Sequence, residues 1–250
     1  MRYLPVKKAK NKRQKAKSHF KIKNLEFLIT LLAFNFLLLT YSYAAPCYGT
    51  KMPKQRHFFT GLENYSIFKN YLENDEGKVR STQNFLRLSY GAYDWLSIDL
   101  KGGAGNIKQH PFLSDEVDYV SNFAGGYGFR LKLYDRENIR AVFGFQHISV
   151  HPRSLHLGEI KHQAVLDDWQ LSFLISDEVM KLTPYLGTKY YRIDYIHWAT
   201  GKRKRIMSDL TKVLGLVAGV DIELAEKIWL NLEGQFIDNE AIALSLNCSF

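Results

Sequence analysis

Apolar and polar residues alternate along most of the chain, from about His57 to the last residue. Leu96, Ile98 and Leu100, for example, are separated by a serine and an aspartate. A period of two is typical of a β-strand with one apolar and one polar face. The pattern predicts ten strands, at His57–Phe68, Gln83–Gly91, Trp95–Ile107, Val120–Tyr134, Ile139–Ile148, Ala164–Ser176, Thr183–Tyr195, Lys212–Leu224, Ile228–Ile237 and Ala241–Phe250.

The segments between these strands alternate in length. Short turns are expected at Ala92–Asp94, Asp135–Asn138, Asp177–Lys181 and Ala225–Lys227, and longer loops near 69–82, 108–119, 149–163 and 196–211. The last hairpin, around Asp238, departs from this rule because it is short as well. Antiparallel strands joined in this way form an up-and-down meander, and an even number of strands places both chain ends on the side of the short turns.

The alternation alone does not determine which face is buried. In a soluble β-barrel the apolar face points inward, whereas in an outer-membrane barrel it points to lipid. Aromatic residues near the expected strand ends favour lipid, because a membrane–water interface attracts them; they include Tyr93, Trp95, Trp169, Tyr190 and Tyr191. The polar face carries charges of both signs, which could pair inside a barrel: Arg87, Asp99, Lys101, Arg130, Lys132, Glu223 and Glu233.

The first 44 residues have a different character. Ten Lys and Arg residues and one Glu among the first 26 positions account for the formal net charge of +9, and the apolar run Phe27–Leu39 follows them. Ser42-Tyr43-Ala44 places small residues as a signal peptidase requires, so we expect cleavage before Ala45. An uncleaved membrane anchor is the alternative, although a spanning helix needs ~20 apolar residues. Since the rest of the chain is formally neutral, no nucleic-acid partner is expected.

The chain ends on a strand in which every second residue is apolar. Ile242, Leu244, Leu246, Cys248 and Phe250 share one face, and Phe250 is the last residue. This resembles the C-terminal assembly signal of bacterial outer-membrane barrels, with Cys248 as a mild departure. The resemblance implies that the barrel-assembly machinery is a partner during biogenesis. An ordinary strand that happens to end in phenylalanine is the alternative.

Two further stretches resemble small bacterial outer-membrane β-barrel domain proteins. They are "LRLSYGAYDWLSIDLKGG" at Leu86–Gly103 and "TPYLGTKYY" at Thr183–Tyr191, and the resemblance covers roughly residues 54–250. It implies an all-β, antiparallel up-and-down transmembrane barrel in the outer membrane, in contact with lipid and lipopolysaccharide. We expect ten strands, with eight or twelve as alternatives. Residues 1–44 would be a signal peptide, 45–56 a short periplasmic lead-in and 57–250 the barrel.

The strand number limits what such a barrel can do. About eight strands enclose an interior filled by side chains, while 16–18 are needed for an open aqueous channel. We therefore expect a filled lumen and a structural or surface-binding role through the extracellular loops, with a small solute channel as an alternative. The basic run Lys202, Arg203, Lys204 and Arg205 could contact anions such as lipopolysaccharide phosphates, although a plain solvated loop is the simpler interpretation.

An enzymatic function has one local candidate. His147-Ile148-Ser149 resembles the H-x-S pair of outer-membrane lipid hydrolases and lipid A deacylases, which implies that the histidine deprotonates the serine for nucleophilic attack. Val150 stands where those families usually have asparagine, and no acid can be assigned as the third member, although Glu159 and Asp167 are near in sequence. We favour ordinary rim residues and expect no enzyme and no cofactor.

Histidine and cysteine give two more weak candidates. His147, His151, His156 and His162 could bind a divalent metal, but their spacing matches no compact zinc motif, so solvated histidines are favoured. Cys47 precedes the first strand and Cys248 lies in the last, so a disulfide could join the barrel's seam in an oxidising compartment. Against it, alternation points the Cys248 side chain toward lipid.

Overall fold

The computed structural model describes residues 45–111 and 115–250, so the expected signal peptide over 1–44 lies outside the described residues. The described chain contains twelve β-strands: β1 (Phe58–Tyr71), β2 (Lys78–Tyr93), β3 (Leu96–His110), β4 (Val117–Arg136), β5 (Ile139–Val150), β6 (Leu155–Leu157), β7 (Ile160–Asp177), β8 (Leu182–Ala199), β9 (Lys202–Met207), β10 (Leu214–Ala225), β11 (Ile228–Phe236) and β12 (Glu240–Ser249). Within these residues no helix is long or apolar enough to cross a membrane.

Ten of the strands close into a barrel. They pair in the order β1-β2-β3-β4-β5-β7-β8-β10-β11-β12, and β12 pairs back onto β1, with Leu246 opposite Leu62. All ten neighbouring pairs are antiparallel. The predicted up-and-down barrel of ten strands is thus confirmed. The short turns lie at one end, called here the periplasmic end, and the longer connections lie at the other, the extracellular end.

Several strands run further toward the extracellular end than the sequence pattern predicted. β2 begins at Lys78 rather than Gln83, and β8 continues to Ala199 rather than Tyr195. Val79 of β2 is buried in an apolar cluster of the lumen, and Ile196 and Trp198 of β8 alternate with His197 and Ala199, so apolar residues no longer mark the outer face although the backbone ladder continues. The short strands β6 and β9 add to this rim by pairing with β7 and β8.

The apolar face of the barrel points outward. Leu62, Leu86 and Leu100 are 65%, 60% and 54% exposed, whereas Asp99 and Arg130, on the opposite face, are each 1% exposed. In water such an arrangement would leave a continuous apolar surface uncovered, while a lipid bilayer stabilises it. The apolar face therefore points to lipid, as in a membrane barrel, and not inward as in a soluble barrel.

Aromatic residues border this apolar face at both ends. Tyr93 and Trp95 stack at the periplasmic end with ring centroids 5.4 Å apart, and Tyr127 and Trp169 lie outward toward the extracellular end. Such belts suit the membrane–water interfaces. The prediction was wrong for Tyr191, which is 1% exposed, because its position in the alternation of β8 turns the ring into the lumen.

The lumen is filled by paired polar side chains toward the periplasmic end. The Arg130 guanidinium donates two hydrogen bonds of 2.9 Å to the Asp99 carboxylate. Lys101 lies 3.6 Å from Glu63 in the same interior. A buried charge needs an opposite charge or hydrogen bonds. Accordingly, Arg87 donates a hydrogen bond to Asn247, and Lys189 forms an ion pair with Asp238.

The segment before β1 enters this lumen. Residues 45–50 are buried, and the segment is held at both of its ends. The Cys47 N–H donates to Glu233 at 2.8 Å, and the Thr50 hydroxyl lies 2.6 Å from that of Ser176. From the sequence we expected residues 45–56 to be a short periplasmic lead-in. Its inner part is instead a plug, because inward-facing side chains of the barrel satisfy the polar backbone of the segment.

Tyr48 of the plug lies among the lumen cations. The ring centroid is 4.0 Å from the Arg87 guanidinium, 4.6 Å from the Lys101 ammonium and 5.7 Å from the Arg130 guanidinium. A ring face attracts cations, more strongly when both are removed from water. Arg130 also donates to the Lys51 carbonyl at 2.8 Å, so it joins the plug to the wall.

The extracellular end of the lumen is closed as well. An apolar cluster fills it, and the chain after β9 crosses above the short strands β10–β12. This crossing brings the Asp209 N–H to 3.2 Å from the Tyr71 carbonyl, and Ser208 forms a bridge with Leu72. The side chains of Ile206 and Ser208 are buried beneath it. The barrel interior therefore holds the plug and paired charges toward one end and an apolar cluster toward the other.

Gly49 allows a sensitive test of the plug. Its φ is +64°, and a Cβ at this position would lie 2.9 Å from Asp221 Oδ2 and 3.1 Å from the Tyr185 ring. Gly49→Ala is expected to cost about 1–3 kcal/mol through backbone strain, and more through crowding. We expect a lower midpoint of thermal unfolding in detergent and faster proteolysis of residues 45–56.

Gly201→Ala is the matched control for this substitution. Gly201 also has a positive φ, +73°, but nothing lies within 4 Å of its Cβ position. Gly201→Ala therefore introduces the backbone strain of a positive φ without a steric clash. We expect it to leave residues 45–56 as resistant to proteolysis as in the wild type. Equal protease sensitivity in both variants would contradict the plug.

Candidate functional site

A cluster of chemistry-bearing side chains lies on the outer face of the barrel, toward the extracellular end of β5 and β7. Ser149 Oγ lies 2.8 Å from Nε2 of His151 and donates a hydrogen bond to Oδ1 of Asp167. The same carboxylate oxygen lies 3.8 Å from Nε2 of His147. The cluster thus contains a hydroxyl nucleophile, a base in hydrogen-bonding reach and a carboxylate, the components that acyl transfer to a serine requires.

The sheet register explains how these residues meet. His147, Ser149 and His151 are two residues apart, so their side chains share the outer face. Antiparallel pairing of β5 with β7 places Ser149 directly opposite Asp167 and His147 opposite Trp169. Cross-strand neighbours of this kind have Cβ atoms about 4.5–5.5 Å apart. The positions of the side chains are therefore fixed by rigid strands rather than by a loop.

The cluster lies where the apolar band of the outer wall ends. His147 packs against the Trp169 and Tyr127 rings, with centroid distances of 4.0 and 5.1 Å. Along β5 the apolar Phe143 and Phe145 come before His147, and Ser149 comes after it. Interfacial aromatics mark the level of lipid headgroups. A lipid ester at that level would lie next to the serine.

The structure changes the roles that the sequence suggested here. The predicted partner of Ser149 was His147, but the histidine within hydrogen-bonding distance is His151. Of the two nearby acids, Asp167 is the one that contacts Ser149, and only the β5–β7 register distinguishes it from Glu159. The two-residue spacing could have identified His151, since it shares a face with Ser149.

The metal and disulfide candidates do not come together. His162 lies apart from the serine cluster, with its Nδ1 3.1 Å from Nε2 of His197, and His156 belongs to β6. Across residues 45–111 and 115–250, no group of three His, Cys, Asp or Glu residues is arranged to hold a metal ion. Cys47 and Cys248 are both free thiols. The possible disulfide between them is not formed, because Cys47 lies in the lumen and alternation turns Cys248 outward.

The predicted basic loop is largely a strand, β9, which extends the sheet beyond β8. Among the described residues, two of its four cations form ion pairs with acidic side chains, and two do not. Lys204 pairs with Glu76, and Arg205 pairs with Asp194. The Arg203 guanidinium lies 5.7 Å from the Trp198 ring centroid. Lys202 and Arg203 are exposed and, within the described part of the chain, have no ion pair.

The residues of the expected assembly signal all lie on the lipid-facing side of β12. Ile242, Leu244 and Leu246 are exposed there, and the Phe250 N–H donates to the Phe58 carbonyl at 2.9 Å. The last strand therefore closes the barrel with its apolar residues outward. Recognition by the assembly machinery stays a prediction.

Comparisons with known proteins give likeness in fold alone. No family model and no curated protein matches the chain. An outer-membrane channel from Pseudomonas putida F1 is 10% identical, over 83% of this chain and 100% of that chain, with a TM-score of 0.41. The transport unit of the autotransporter AIDA-I from Escherichia coli is 11% identical, over 78% and 89%, with a TM-score of 0.43. The outer membrane protease OmpT from Escherichia coli is 11% identical, over 77% and 97%, with a TM-score of 0.41.

The chain's own geometry decides its class. The ten-stranded sheet is closed, so it leaves no unpaired strand edge in lipid. Its outer face is apolar and bordered by aromatic rings, and its lumen holds paired charges. The chain is therefore an outer-membrane β-barrel protein.

Proposed function

We propose that this protein is a non-conducting outer-membrane barrel with a structural or surface-binding role at its extracellular side. The observation that carries the proposal is the filled lumen. The plug residues 45–50, the paired charges around Arg130 and the apolar cluster beneath β9 all lie in the interior, the first two toward the periplasmic end and the third toward the extracellular end. This filling argues against the small solute channel, and it leaves the outer wall and the extracellular rim as working surfaces.

The purified protein is expected to carry no ionic current across a planar lipid bilayer. A variant that lacks residues 46–53 removes the plug and is expected to conduct small ionic currents if it folds, which a heat-induced shift in gel mobility would establish. Stable single-channel steps from the intact protein would contradict the filled lumen. A voltage ramp on both proteins in 1 M salt, a condition of about 3 Å screening length, makes the comparison.

Anionic groups of lipopolysaccharide are the ligands that best suit the rim. Lys202 and Arg203 project from β9 without an ion pair among the described residues, and the stack on Trp198 holds the Arg203 guanidinium in place. Charge-assisted hydrogen bonds to phosphate are among the stronger polar contacts at a protein surface. The contribution of each such cation near an anionic surface is about 1 kcal/mol.

Replacing Lys202 and Arg203 together with alanine is therefore expected to weaken binding of the detergent-solubilised protein to lipopolysaccharide by about 30-fold, which corresponds to roughly 2 kcal/mol. Surface plasmon resonance at low and physiological salt measures the change. The control removes two cations at the periplasmic end, Lys132 and Arg140, which are paired with Asp135. If both variants lose the same affinity for lipopolysaccharide, the change reflects only the protein's net charge, and a binding site at the rim is contradicted.

The Ser149 cluster supports a second candidate, a hydrolase that acts on acyl esters of membrane lipids. In this proposal the Ser149 hydroxyl gives its proton to Nε2 of His151 instead of to Asp167, and Oγ attacks the ester carbonyl. His151 returns the proton to the lipid alcohol as the ester C–O bond breaks, and water then hydrolyses the acyl-serine by the same route. The Asp167 carboxylate, which contacts Ser149 and lies 3.8 Å from His147, favours the cationic form of the nearby imidazole. The supporting observation is the 2.8 Å contact between Ser149 and His151 at the boundary of the apolar band.

The test is fatty-acid release from vesicles that contain lipopolysaccharide and phospholipid, followed by mass spectrometry. Ser149→Ala is expected to abolish release, and His151→Ala to lower the rate about 10²–10⁴-fold, the usual contribution of a general base. Thr188→Ala, which removes an outward hydroxyl of β8, is the control. Release that persists in Ser149→Ala, or that the wild type fails to produce, would contradict this candidate.

A further inference from the structure

Asp168 differs from the other lumen carboxylates in lacking a side-chain partner. It lies on the inward face of β7 and is 1% exposed. Among residues 45–111 and 115–250, neither carboxylate oxygen is hydrogen-bonded to a side chain and no cation lies within ion-pair distance. The backbone N–H of Ala45 faces it without a well-formed hydrogen bond, and the charges of Lys189 and Lys101 act on it from beyond ion-pair distance. A buried carboxylate left in this way carries the full cost of its removal from water.

The charges of the described lumen do not balance either. Six buried carboxylates face the interior, and four cations face them. The carboxylates are those of Glu63, Asp99, Asp168, Asp221, Glu233 and Asp238, and the cations are Arg87, Lys101, Arg130 and Lys189. The difference is two negative charges. Lys51 of the plug acts electrostatically on Asp221 and offsets one of them. With all of these groups ionised, one positive charge is still missing.

Ala45 is held at the point where that charge is needed. It is 0% exposed, and its carbonyl accepts a hydrogen bond from the Gln235 side chain. Two residues later the Cys47 N–H is bound to Glu233. The nitrogen of Ala45 therefore has a fixed position beside Asp168, set by the wall of the barrel on both sides.

We propose that the peptide bond before Ala45 is hydrolysed during export and that the new α-ammonium group of Ala45 pairs with Asp168 inside the lumen. Water adds across the bond: the preceding residue keeps the carboxylate, and the Ala45 nitrogen gains the protons of an amine. An α-amino group is mostly protonated at neutral pH. The same nitrogen then carries three N–H donors and the missing positive charge.

This pairing makes removal of the leader part of lumen assembly. Before cleavage, Ala45 offers Asp168 one neutral amide N–H, and the negative charge stays uncompensated. After cleavage, the ion pair fixes the end of the plug, while Tyr48 and Arg130 fix its middle. The plug therefore reaches its stable position only in the processed chain.

The first measurement is the mass and N-terminal peptide of the full chain purified from the outer membrane. A mature chain that begins at Ala45 is expected, and any other N-terminus overturns the proposal. The folded protein is then treated with formaldehyde and cyanoborohydride near neutral pH, and mass spectrometry compares methylation of the α-amine with that of exposed Lys202. The α-amine is expected to react at least about tenfold more slowly when folded and to lose this protection on unfolding.

Two substitutions at adjacent residues distinguish pairing from simple enclosure. Asp168→Asn removes the partner and is expected to raise α-amine methylation about tenfold. Asp167→Asn makes the same chemical change on the outer face of the same strand and is expected to leave the protection unchanged. Protection that survives in folded Asp168→Asn overturns the ion pair. If Asp168→Asn does not fold, the methylation rate of the α-amine in the folded wild-type protein still tests the proposal. An α-amine that reacts as fast as Lys202 overturns it.

Discussion

The need to keep charge away from lipid governs this structure. A sheet that crosses a bilayer must close on itself, because an unpaired strand edge would leave backbone N–H and C=O groups without partners. Closure gives each strand one face in lipid and one face inside. Every charge that the alternation places between the membrane boundaries must therefore enter a narrow lumen, where it is stable only with an opposite partner. The Arg130–Asp99 pair is the best-formed result of this requirement.

The lumen charges in turn explain why a segment outside the barrel pattern occupies the interior. Ten strands enclose a wider interior than eight, in which side chains of the wall already fill the space, so there is room for a further segment of chain. The plug supplies what the wall lacks: an aromatic face for three cations at Tyr48, and backbone N–H groups for carboxylates such as Glu233. Wall and plug thus form one polar core, in contrast to the apolar core of a soluble barrel.

The sequence predicted those parts of the structure that depend on local alternation. All ten barrel strands, their turns and the lipid-facing residues of β12 could be identified, because a period of two survives wherever one face meets lipid. Toward the extracellular end the interior becomes apolar and the outer face mixed, so the extensions of β2 and β8 and the strand β9 do not show the alternation of an apolar outer and a polar inner face. The plug has no period at all, since its position depends on contacts with strands more than a hundred residues away, such as that of Thr50 with Ser176.

Asp167 and Asp168 show the same limit within the candidate sites. The two carboxylates are adjacent in sequence and chemically identical, so composition and spacing could not separate them. The pleat of β7 sends Asp167 outward to Ser149 and Asp168 inward to the nitrogen of Ala45. One faces headgroups and water, where a carboxylate can assist chemistry on a passing lipid; the other faces a closed core, where it can only anchor. A single β-strand separates the two carboxylates. A site on the outer rim and a closed lumen can therefore exist in one small barrel, because they use opposite faces of that strand.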